Sequence, residues 1–110
     1  MHIQNILIGI KKSGQNLIIN LKIIARKTEE LRSSDKLNIC NLKNTHWKYG
    51  IKSQISFFNK TYKKNDIHIC LFLNKRLIAY NCLRRRNIYV SGIRYTYYLF
   101  DALIIHKKFR

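Results

Sequence analysis

The feature that most constrains how this chain can fold is a change of hydrophobic period at Asp66. Before it, Ile51, Ile55, Phe58 and Tyr62 fall at i, i+4, i+7 and i+11, one face of a 3.6-residue helix, while Lys52, Lys60, Lys63 and Lys64 lie off that face. The aromatic stripe reads as core packing. After Asp66 the period is two: Ile67, Ile69, Leu71 and Leu73 point one way, and His68, Cys70 and Phe72 the other. Asn74-Lys75 reads as a tight turn, and Arg76 to Leu83 as the returning strand, which resumes over Ile88 to Val90. Between them Arg84-Arg85-Arg86 reads as a solvated strand end or loop. Ser91-Gly92 reads as a second hairpin turn, and Ile93 to His106 as a long final strand.

Upstream the signals are shorter. Asn16 to Lys27 is dominated by β-branched residues and predicts a strand. Ser33-Ser34-Asp35 offers side-chain oxygens to cap a helix on which Leu37, Cys40 and Asn44 share a face, and Gly50 separates that helix from the next. Residues 1–16 leave two readings open. Ile3, Ile6, Ile8 and Ile10 can form a strand that turns at Ser13-Gly14-Gln15, or the segment can be an extension outside a domain spanning 17–110. The order strand, helix, helix, strand, strand, strand predicts an α+β fold with a mainly antiparallel sheet. The final strand is apolar on both sides, with Leu99, Leu103 and Ile105 on one and Phe100, Ala102 and Ile104 on the other, which predicts a place in the middle of the sheet.

One domain is all that 110 residues allow, and the absence of proline leaves no rigid linker. The formal charge of +17 admits three readings. A small basic nucleic-acid-binding protein is one, because Lys and Arg displace counterions from phosphates. Base composition is another: the chain is crowded with Ile, Asn and Lys, and its lysines are scattered. A positive funnel for an anionic ligand such as coenzyme A is the third. Cys40, Cys70 and Cys82 form no C-x-x-C and no paired His motif, so no metal site is expected, and each reads as a small buried hydrophobe in a reducing, cytoplasmic setting. The start of the chain lacks the basic region of a signal peptide. The apolar run Leu17 to Ala25 is broken by Asn20 and Lys22 and is too short to span a bilayer, so no membrane partner is expected.

The segment Leu99-Phe100-Asp101-Ala102-Leu103-Ile104-Ile105-His106-Lys107-Lys108-Phe109-Arg110 resembles the fourth strand of the GNAT superfamily of acyl-CoA N-acyltransferases. In that family the strand leads into a loop of form (Arg/Gln)-x-x-Gly-x-(Gly/Ala) that opens a helix, and Arg110 matches the first position of the loop. Upstream, Asn41-Leu42-Lys43-Asn44-Thr45-His46-Trp47, Ser53-Gln54 before Phe57-Phe58, and Asp66-Ile67-His68 are similar to the two-helix stretch and second strand of one group in the family. The resemblance covers about three quarters of the chain, from near Lys22 to Arg110.

The resemblance implies an incomplete GNAT-like sheet, with acetyl-CoA as acyl donor and a small-molecule or peptide amine as acceptor. The amine attacks the thioester directly, helped by a backbone N–H of the fourth strand that polarises the carbonyl. Ile104, Ile105 and His106 match the positions whose backbone pairs with the pantetheine arm, and ordinary sheet pairing is the competing use of the same groups. The loop glycines are not among these 110 residues, so the chain is expected to be a fragment, inactive alone, that lacks the backbone cradle for a pyrophosphate. The same shortfall predicts an unpaired apolar edge on the final strand. Asp101 is the candidate proton acceptor if its apolar surroundings raise its pKa; a structural carboxylate paired with an Arg is the alternative. His68 and His46 read more readily as structural. Trp47, Tyr49 and Gln54 are candidates for the acceptor pocket, although Trp and Tyr also serve as core residues.

Overall fold

The structure, a computed structural model, describes residues 2–12 and 14–110. Five strands, β1 (His2–Lys12), β2 (Gln15–Lys27), β3 (Ile67–Leu73), β4 (Arg76–Val90) and β5 (Ile93–Ile105), form one sheet in the order β1-β2-β3-β4-β5, and every neighbouring pair is antiparallel. Two helices, α1 (Ser33–His46) and α2 (Ile51–Thr61), lie between β2 and β3, and short 3-10 turns cover Thr28–Glu30 and Lys107–Phe109. The fold is α+β with an open antiparallel sheet. Among the described residues no helix is long and apolar enough to cross a membrane.

β1 pairs with β2 from His2↔Ala25 to Lys12↔Gln15, so the opening segment is a strand of the sheet. The turn expected between them falls partly outside the described residues. The other two hairpins have two-residue turns whose central residues both have positive φ: 47° and 72° at Asn74 and Lys75, 51° and 77° at Ser91 and Gly92. That geometry matches the right-handed twist of the flanking strands. Asn74 also fastens its turn to β2, because its Oδ1 accepts from the Asn20 N–H at 3.2 Å while its own N–H donates to the Asn20 carbonyl at 3.0 Å.

The helices sit on one side of the sheet. Ile39, Cys40 and Leu42 of α1, Phe58 of α2 and Tyr62 beside it meet Cys70, Tyr80, Cys82 and Ile104 of the strands, with Ile51 and Ile55 packed around them. The expected cap of α1 is corrected. Arg32 is the cap residue, and Asp35 in the first turn reaches back to accept its N–H at 2.9 Å. The carboxylate gains from the helix N-terminus and from Arg26 of β2, whose Nη1 donates to it at 2.8 Å. The buried face of α1 is also shifted. Leu37 is exposed, Asn44 accepts the Gly50 N–H at 2.9 Å, and Lys43 turns inward.

Two further expectations are overturned. The arginine run is neither a loop nor a solvated end: it lies within β4, where Arg84 pairs with Asp101 and Arg86 with the buried Asp66. β5 is not central. It pairs with β4 alone, and Leu99, Phe100, Leu103 and Ile105 are exposed. Its place follows from hairpin succession, since β4 already has β3 on its other side. Near its end β5 carries a bulge: Tyr80↔Ile104 and Cys82↔Asp101 leave Ala102 and Leu103 opposite Asn81 alone, with Ala102 at φ 55°.

Candidate functional site

The bulge forms one wall of a cavity of about 530 Å³, within the usual range for small-molecule sites. Three parts of the chain meet there. The end of α1 brings Lys43 and Trp47, with Tyr49 from the short connection that follows. α2 brings Ser53, Gln54 and Phe57, with Tyr62 just beyond its end, and β5 brings Asp101 and Ala102. The candidate pocket residues Trp47, Tyr49 and Gln54 therefore line the same cavity as the candidate acid–base residue Asp101. Gln54 is buried and its Nε2 donates to the Trp47 carbonyl at 2.6 Å, which fixes the end of α1 against the start of α2. Trp47 is further held edge-on against the His46 ring, with centroids 4.8 Å apart.

Of the two settings open to Asp101, an apolar one and a pairing with an Arg, the structure has the Arg pair. Its side chain is 32% exposed, and Oδ2 takes two bonds from Arg84, from Nε at 2.7 Å and from Nη2 at 2.6 Å. Burial opposes the charge of Arg84, yet the Asp101 carboxylate outweighs it and holds the guanidinium above its ordinary pKa.

Lys43 is the residue that sequence reasoning missed. It is 3% exposed, its Nζ donates to the Tyr62 hydroxyl at 2.8 Å, and its ammonium lies 5.2 Å from the Phe57 ring centre and 4.9 Å from that of Tyr62. Among the described residues no carboxylate is ion-paired with it. Burial lowers its pKa, with Cys40 and Asp101 pulling the other way. Lysine reads by default as a solvated helix residue; the available signal was its place three residues after Cys40, on the apolar side of α1.

His68 and Asp66 stand apart from the cavity. The His68 ring is fully buried, with Nδ1 at 2.6 Å from the Tyr80 hydroxyl and Nε2 at 2.7 Å from Thr28 Oγ1, stacked between Phe58 and Tyr80. Burial lowers its pKa to about 4 against the opposing pull of Asp66. Asp66 accepts the Lys63 and Arg85 N–H groups and Arg86 Nη1, which together outweigh burial and keep its pKa low. Both residues hold elements together, which is the structural reading of His68.

Ile104 and Ile105, expected near a pantetheine arm, end β5, with His106 directly after it, and Arg110, matched to the start of the pyrophosphate loop, lies beyond the Lys107–Phe109 turn. Ile104 is buried in the core, and Ile104, Ile105 and Arg110 line a second hollow of about 220 Å³ with His46 and Leu103. His106 is not part of that lining; its Nδ1 accepts the Lys108 N–H at 3.2 Å and its Nε2 lies 3.3 Å from Arg76 Nη2. The His106 N–H donates to the Ile78 carbonyl at 2.7 Å, toward β4. Backbone groups alternate in direction along a strand, so the N–H and C=O of Ile105 point off the sheet edge. Arg110 Nε donates to that outward carbonyl at 3.0 Å. Arg76, Lys107, Lys108 and Arg110 surround His106, and burial followed by their charges lowers its pKa.

All three cysteines are buried thiols, with Cys70 and Cys82 each pushed up to about 12 by burial. Among the described residues no group of three or more His, Cys, Asp or Glu side chains could hold a metal ion. No model of a known protein family matches the chain, and no curated protein matches it.

Proposed function

We propose that this chain carries the donor-side strand and acceptor pocket of an acyl-CoA-dependent N-acyltransferase domain. The observation that supports the reading best is the end of β5. A bulge at Ala102 opens the large cavity, and three residues later the Ile105 backbone faces outward on an unshared edge beside four cationic side chains. An acyl-pantetheine arm is an extended chain of amides, and such a chain adds to a sheet edge through main-chain hydrogen bonds. The pyrophosphate and 3′-phosphate of the nucleotide end of coenzyme A are anionic and suit the cluster of Arg76, Lys107, Lys108 and Arg110. When bound, acetyl-CoA supplies an activated acyl group.

The residues of the chain then have separable tasks. Ile105 offers the outward N–H and C=O, Arg110 yields the carbonyl it now holds, and Trp47, Tyr49 and Phe57 give the body of an acceptor an aromatic surface to pack on. Arg84 engages Asp101 through Oδ2, which leaves Oδ1 to orient the amine of an acceptor and receive its proton. Within residues 1–110 the phosphates can meet the side chains of Arg76, Lys107, Lys108 and Arg110, around a turn at Lys107–Phe109 that is three residues long. Residues 1–110 are accordingly expected to bind acetyl-CoA only weakly and to release no measurable thiol. Proline at position 105 tests the strand directly, because it removes an N–H the ladder does not use. Calorimetry should show millimolar acetyl-CoA binding by the parent chain and none by Ile105→Pro, with strand content unchanged. Equal binding by the two proteins places the donor elsewhere.

A further inference from the structure

We propose that the cavity beneath α1 and α2 is a binding site for a small organic acid, with the carboxylate held by Lys43 and an apolar or aromatic body against Trp47 and Phe57. Of the residues lining the cavity only Lys43 and Asp101 are charged, and Asp101 is neutralised by Arg84 through two contacts to Oδ2. The walls thus hold one positive charge with no carboxylate of its own. That charge is almost wholly shielded from water, and a buried ammonium is costly unless it is paired. The Tyr62 hydroxyl uses one of its three donors, and the faces of Phe57 and Tyr62 offset part of the remaining cost. An anion entering the cavity completes the pairing.

Shape and polarity narrow the class of ligand. A space of about 530 Å³ suits a molecule of amino-acid to drug-fragment size. Four of the nine lining residues are aromatic and the lining surface is mostly apolar, which favours a monocarboxylate with an apolar body over a phosphate ester or a polyanion. The Tyr62 hydroxyl, sharing Lys43, offers a second polar contact at the same point. The proposal concerns the cavity alone and needs no acyl donor. Where the acyl-transfer reading also holds, it makes the acceptor a carboxylate-bearing amine, its amine toward Asp101.

The test compares 3-phenylpropionate with 3-phenylpropionamide, which share a shape and differ in charge, by ligand-observed NMR on the full chain without acetyl-CoA. The acid should bind at least tenfold more tightly than the amide. Lys43→Met keeps the buried stem and removes the charge; it should erase that preference while the thermal midpoint is unchanged or higher, since a buried ammonium is removed. Equal affinity of acid and amide, binding of neither, or a preference retained in Lys43→Met would overturn the proposal, and the first two outcomes require no variant. Because no acyl donor is present, none of these results bears on the donor strand, whose own test is the proline at position 105.

Discussion

His68 bonds at both ring nitrogens inside the core, and burial keeps it neutral down to about pH 4, whereas in the unfolded chain it titrates near 6.5. Between those values the unfolded chain binds a proton that the native chain does not. The His68 contribution is therefore complete above pH 6.5 and is lost as pH falls toward 4, by about 3 kcal/mol over the window. Urea midpoints measured from pH 7.5 to 4 should fall accordingly. In His68→Gln the midpoint should start lower at pH 7.5 but show a flatter slope; an unchanged slope would mean that the ring is not sealed. Asp35 and Asp66, also held low, add to the loss only from about pH 5 downward, where their unfolded counterparts begin to protonate. Residue-scale legibility was uneven. That Asp101 lies among apolar neighbours is written in the sequence, and Arg84 reaches it diagonally across the hairpin, in the unbroken register that runs from Val90↔Ile93 to Cys82↔Asp101 before the bulge. Lys43 escaped notice because charge outweighs position when a helix face is read by residue type.

At the scale of elements, the bulge in β5 is the feature that most shapes the site. Ala102 holds φ 55°, a conformation that costs a residue with a Cβ about 1 kcal/mol and costs glycine nothing comparable. Ala102→Gly should therefore raise stability by about 0.5–1 kcal/mol in urea unfolding, while Ala102→Val should lower it by more than that. A glycine variant less stable than the parent would indicate that the strand is not bulged there. The elements themselves were largely readable. The change of period at Asp66 and the two-residue turns at Asn74-Lys75 and Ser91-Gly92 locate β3, β4 and β5 within a residue or two of their ends. The position of β5 was not, because apolar residues on both faces report what a strand could bury and not what its neighbours are. Asn81, left opposite the bulge, has a buried Oδ1 without a hydrogen-bond partner among the described residues, and we have no physical account of it.

For the molecule as a whole, one side of the sheet carries both helices and the other is uncovered among the described residues. Ile67, Ile69 and Leu71 are half-buried there by neighbouring strands alone, and Ile88, Tyr89, Val90 and Ile93 are exposed at the far end of the β4–β5 hairpin. The formal charge of +17 is carried on several elements, including Lys52 and Lys60 on α2, Lys75 and Arg76 at a turn, and Lys107 to Arg110 beyond β5. A charge so distributed attracts any polyanion, with an affinity that falls as salt rises, and does not by itself select a partner. We propose, more narrowly, that the end of β5 receives a pantetheine arm. Titrating the ¹⁵N-labelled chain with acetyl-CoA at physiological salt, and following each backbone amide, tests it most directly. The account predicts millimolar, saturable shifts concentrated at Asp101 to His106 and on the cavity residues Trp47 and Tyr49, with inorganic pyrophosphate moving only the basic residues around His106. Shifts spread evenly over basic residues of every element, identical for acetyl-CoA and pyrophosphate, would contradict it.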